Sequence, residues 1–67
     1  MDLEIGQRVQ VYRMRDRVAK SLASRLGKTG VVKNLKILDG MNIGALIEFD
    51  ADEYTTWFFE DELRAVE

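Results

Sequence analysis

The sequence predicts a mainly β fold: a small, partly open barrel of four or five antiparallel strands, with a short helix or helical turn in the first long loop. Three observations predict it. Short segments with a hydrophobic period of two recur along the chain. Glycine- or acid-rich turn signals separate them at short intervals. One early segment, residues 14–27, changes to a helical period.

The elements follow in order. Arg8-Val9-Gln10-Val11-Tyr12-Arg13 alternates strictly and puts Val9 and Val11 on one face, with Arg8, Gln10 and Tyr12 on the other. Val18, Leu22 and Leu26 then fall four residues apart, on one helical stripe. Asp16 can cap the start of that helix and Gly27 can close it in the left-handed conformation. Thr29 to Leu38 reads as a second strand. Lys33 interrupts the parity of Val31, Leu35 and Ile37, which predicts a bulge near Lys33-Asn34. Asp39-Gly40 marks a turn lengthened by Met41 and Asn42. Ile43 to Phe49 is a third strand with Ile43, Ala45, Ile47 and Phe49 inward. After the polar connection Asp50 to Glu53, Tyr54 to Phe59 is a fourth strand rich in β-formers. Glu60 to Leu63 reads as one 3₁₀ turn, and Arg64 to Val66 as a last short strand.

With 67 residues this is a single domain, 1–67, whose folding buries only about 60% of the surface of the unfolded chain. It holds no cysteine, histidine or proline, so neither disulfides nor thiolate metal sites staple it. The first residues carry Asp2 and Glu4 and do not read as a signal peptide. No apolar run approaches the ~20 residues of a membrane-spanning helix. The expectation is a protein that is soluble or held at a membrane surface by another protein.

Charge is divided along the chain. Residues 1–38 hold nine Lys/Arg against three acids, a balance of +6, whereas residues 39–67 hold nine acids against Arg64 alone, a balance of −8. Either the molecule has two electrostatic faces or folding interleaves the two halves.

Motifs for catalysis fail one by one. Gly27-Lys28-Thr29 matches the end of a phosphate-binding loop, but Leu22 stands where its first glycine belongs, and the helix precedes instead of following. Asp50, Asp52 and Glu53 lack the spacing and central glycine of a calcium loop. Glu60, Asp61 and Glu62 are consecutive and do not converge as paired catalytic carboxylates would. Ser21 and Ser24 have no histidine to activate them. The chain is therefore expected not to be an enzyme, and no cofactor is implied.

Two features fit binding. Arg13, Arg15 and Arg17 place three guanidinium forks within five residues, suited to carboxylates or phosphates. The plain alternative is a solvated loop with an internal pair to Asp16. Tyr54, Trp57, Phe58 and Phe59 are more aromatics than so small an interior holds easily, so Trp57 or Phe58 is a candidate anchor for a partner.

The strings Ile5-Gly6-Gln7-Arg8-Val9, Arg15-Asp16-Arg17-Val18, Leu26-Gly27-Lys28-Thr29-Gly30, Ile47-Glu48-Phe49-Asp50 and above all Thr56-Trp57-Phe58-Phe59-Glu60-Asp61-Glu62-Leu63 resemble the family of small peripheral subunits of the cyanobacterial cytochrome b6f complex. The turn Ala51-Asp52-Glu53 departs from it in lacking a glycine. The resemblance implies an SH3-like fold without catalytic residues or haem. It implies a protein, monomeric when free, that docks on membrane subunits of cytochrome b6f at the cytoplasmic face of the thylakoid. There it would influence linear and cyclic electron flow, touching the membrane only through its partner. Arg13, Arg15 and Arg17, with Trp57 or Phe58, would make the contact. The competing expectation is a small SH3-like adaptor for RNA or for a ferredoxin-like carrier. The acidic pI of about 5.1 opposes the RNA reading, and no nucleic-acid partner is expected.

Overall fold

A computed structural model describes residues 3–14, 23–37, 40 and 42–66. It contains five strands, β1 (Arg8–Val11), β2 (Thr29–Ile37), β3 (Ile43–Phe49), β4 (Thr55–Phe59) and β5 (Leu63–Ala65), with a 3₁₀ turn at Glu60–Glu62. They form one antiparallel sheet in the order β4-β3-β2-β1-β5. The topology itself imposes the curl. β4 and β5 lie at opposite ends of this order, yet only the three residues of the 3₁₀ turn join them. Three residues span roughly 10 Å at most, so the sheet must roll up to bring its two ends together. The result is the predicted mainly β, partly open barrel.

The inner face carries much of the predicted apolar stripe, with Val32 and Phe58 added and Ile43 left out. Val9 and Val11 from β1, Val32 from β2, Ala45, Ile47 and Phe49 from β3, Phe58 from β4 and Leu63 from β5 are all buried. Phe49 and Phe58 meet edge to face with centroids 5.8 Å apart, the arrangement that ring quadrupoles favour. Leu3, Met14 and Leu35 pack against this cluster from its margins.

The bulge falls where the sequence predicts it. Val32 pairs with Ile47 and Asn34 with Leu46, leaving Lys33 as the additional residue. The extra residue reverses the phase: Val32 points inward before it, and Leu35 after it. Val31 thus does not share the inner face with Leu35. Gly30 is fixed by close approach, because a Cβ there would lie 2.5 Å from the Glu48 carbonyl oxygen and 2.7 Å from Ile47 Cγ2.

Several boundaries shift. β1 ends two residues before Arg13. β4 begins at Thr55 because the Tyr54 carbonyl accepts the Phe49 N–H, inside the turn. Ile43 is not core; it is 39% exposed at the end of the β2–β3 hairpin, opposite a still more exposed Ile37. Of the predicted helix over 14–27, residues 15–22, including Asp16, Val18 and Leu22, lie outside the described residues. Among the described residues of that segment Met14 is irregular and Ala23 is helical, followed by turns closed by Leu26 N–H to Ala23 O and Lys28 N–H to Arg25 O. Gly27 takes the expected left-handed conformation (φ 86°), from which its N–H reaches the Val11 carbonyl at 2.7 Å. Asp39 and Met41 of the predicted hairpin turn also lie outside the described residues.

Candidate docking surface

Folding interleaves the divided charge. Arg8 pairs with Asp50 at 2.7 Å, Arg13 with Asp61 at 3.1 Å, Arg25 with Asp52 at 2.9 Å and Lys33 with Glu48 at 3.2 Å. Each joins a base from the first half to an acid from the second. Antiparallel pairing of β1 and β2 with strands from the acidic half brings the two halves together, so among the described residues bases and acids are interleaved.

One of these pairs is also a clamp. The Arg25 guanidinium carbon lies 4.9 Å from the Phe49 ring centroid and 4.5 Å from that of Tyr54. The same fork grips Asp52, whose carboxyl is held below its ordinary value, first by that hydrogen bond and next by the Tyr54 N–H. The pairing in turn raises the Arg25 value, burial opposing it. The end of the long loop is thereby fastened to the β3–β4 turn. That turn contains Glu53 at φ 59°, a left-handed position occupied here by a side chain instead of glycine.

The predicted contact residues are not equivalent. Phe58 is a correction: at 1% exposure it belongs to the core, opposite Ala45, and is unavailable to a partner. Strand alternation sends its neighbour Trp57 to the outer face, opposite Leu46, where it is half-buried with the Lys36 ammonium 4.6 Å above its ring. Phe59, on the same side as Trp57, is half-buried too. Arg13 is exposed and bonded to Asp61: Nε donates to the Asp61 carbonyl and Nη2 to its carboxylate, while Asp16 lies outside the described residues. Arg15 and Arg17 lie outside the described residues.

The consecutive acids of the 3₁₀ turn do three separate jobs. Glu60 borders an apolar groove of about 290 Å³ lined by Leu3, Leu35, Ile37 and Ile43, with Lys36 also on its wall. Asp61 holds Arg13. Glu62 is fully buried, and its Oε1 accepts the Phe59 N–H at 2.8 Å, capping the turn from inside. The sequence reading did not identify Glu62 as structural; the signal was its position, three residues after the end of an apolar strand, which is the spacing of a cap. It also passed over Arg64. Pairing of Gln10 with Arg64 across β1 and β5 brings that base to within 5.6 Å of the Tyr12 ring centroid, on which Arg13 also lies, at 5.8 Å.

Among the described residues no group of three or more acidic, histidine or cysteine side chains could hold a metal ion. Nor is any helix among them long and apolar enough to cross a membrane. The described surface offers charge, aromatic rings and an apolar groove.

The family model for Tsr0524-like cytochrome b6f subunits matches residues 5–64. The chain belongs to this family. The Tsr0524-like match takes in all five strands and the 3₁₀ turn except for the last residue of β5. The solution structure of the cyanobacterial cytochrome b6f complex subunit PetP superposes with a TM-score of 0.86 at 43% identity, covering 97% of this chain and 81% of that one. An uncharacterized protein, ORF65, of the red alga Porphyra purpurea is 29% identical over 59 residues, 88% of this chain and 89% of its own length.

Proposed function

We propose that this chain is a non-catalytic peripheral subunit that docks on cytochrome b6f at the cytoplasmic face of the thylakoid and modulates the balance of linear and cyclic electron flow. The observation that carries this reading is the family match over residues 5–64, supported by the likeness to PetP across nearly the whole chain. The surface is consistent with it. Arg13 and Trp57 are reachable, and guanidinium and indole are residue types that interfaces favour. Arg15 and Arg17 extend the arginine run from Arg13. The RNA-binding alternative gains little from the fold, because Arg8, Arg25 and Lys33 are each tied to an acid of the same chain.

The test is affinity capture from thylakoid membranes with a tagged chain. Cytochrome b6f subunits should be retained by the native sequence, and retained less by R15E/R17E and by W57A. Equal retention by R15E/R17E would remove the arginine assignment, and capture without any cytochrome b6f subunit would remove the reading itself. Proteolysis of sealed membranes with the cytoplasmic face outward should destroy the bound chain.

A further inference from the structure

We infer that Tyr12, Arg13 and Arg64 form a carboxylate-receiving patch, and that its occupant is an acidic protein segment of the docking partner. The inference rests on the docking reading above and specifies the chemistry of contact. Arg64 is the only base in residues 39–67. β1–β5 pairing sets it beside Gln10, and so on the side of β1 that carries the exposed Tyr12. Arg13 follows directly in sequence. The two guanidinium carbons lie 5.6 and 5.8 Å from the same ring centroid, so the ring keeps two cations close together in space.

Both forks are oriented from behind. Gln10 Oε1 accepts from Arg64 Nε at 2.9 Å, and the Asp61 carbonyl accepts from Arg13 Nε at 2.9 Å. These bonds fix the planes of the guanidinium groups before any ligand arrives, which lowers the ordering cost of binding. Gln10 is neutral, so its bond orients Arg64 without offsetting the charge. Asp61 pairs with Arg13.

A carboxylate segment fits this arrangement better than a lipid headgroup. The chain carries net charge −2, which opposes accumulation at an anionic bilayer, whereas a patch with two forks and an exposed ring matches acids presented at short range by a protein. Tyrosine and arginine are also the residues that most often anchor protein interfaces.

The test uses the whole chain, isotope-labelled, titrated with a hexaglutamate peptide and followed by NMR at the arginine Nε–H signals and the Tyr12 ring. Arg13 and Arg64 should shift together with Tyr12, while Arg8, paired with Asp50 outside the patch, and Arg25, stacked on Phe49 and Tyr54, should not. R64Q should retain the native amide spectrum and bind the peptide about tenfold more weakly. No shift at Arg13 and Arg64, an equal response in R64Q, or stronger binding to phosphatidylglycerol vesicles than to the peptide would each overturn the inference. Binding of the same proteins to purified cytochrome b6f separates the two readings. If native chain and R64Q bind the complex equally, the patch is wrong and docking stands. If the native chain does not bind the complex, docking is wrong, and the peptide titration still decides the patch.

Discussion

At the scale of single residues, this barrel depends on a few side chains whose surroundings leave them no substitute. Glu62 is charged by type and fully buried, with Phe59 N–H as an internal donor to its carboxylate. Replacing it by alanine should cost about 2 kcal/mol in urea unfolding, whereas glutamine, which keeps an acceptor oxygen, should cost clearly less. Glu53 presents the opposite case. Its left-handed backbone strains any side chain, so E53G should stabilise the fold by up to about 1 kcal/mol in the same measurement. Asp52 makes stability depend on pH. Its carboxyl value is depressed in the folded state by Arg25 and the Tyr54 N–H. The stabilisation is therefore complete above the unfolded carboxyl value of about 3.9 and fades as pH falls through the lower folded value. Between pH 4 and pH 2 the native chain should lose more of its urea midpoint than D52N does. An equal loss would remove Asp52 from the account.

At the scale of elements, the strands were legible because their alternation is a direct imprint of one buried face. β3 was read with its observed limits, and the bulge at Lys33 was visible as a break in parity. What alternation could not reveal is where the barrel ends. Ile43 and Ile37 continue the inner stripe past the last covering residue, so parity alone assigns Ile43 to the core although 39% of it is exposed. Phe58 and Trp57 show the same limit from the other side. Both are apolar neighbours on one strand, and only the register with β3 decides that Phe58 faces Ala45 in the core while Trp57 faces Leu46 outside. β2 has a further constraint that periodicity never shows. Gly30 sits where the backbone of β3 comes too close for a Cβ. G30A should cost about 1–3 kcal/mol, read as a lower denaturation midpoint, because neither Glu48 backbone nor Ile47 can withdraw freely.

At the scale of the whole molecule, the candidate site was less legible than the fold, and for a physical reason. A run such as Arg13 to Arg17 is contiguous in sequence, so it can be noticed there. Arg64 reaches the same neighbourhood only through β1–β5 pairing, and Asp61 reaches Arg13 only because the 3₁₀ turn brings the ends of the sheet together. Composition left two outcomes open for a +6 half and a −8 half, opposed faces or interleaved charge, and among the described residues ion pairs tie the halves to each other. Tyr12, Arg13 and Arg64 are exposed together near β1 and β5, and Trp57 is half-buried on the outer face of β4. Trp57, half-buried beneath Lys36, is the aromatic expected to contribute most to docking; W57A should weaken it by about 2 kcal/mol, roughly thirtyfold. The most direct test of the docking claim is the affinity of the purified chain for purified, immobilised cytochrome b6f complex. The account predicts saturable one-to-one binding that weakens with salt and with W57A. Absence of saturable binding by the native chain at low salt would contradict it.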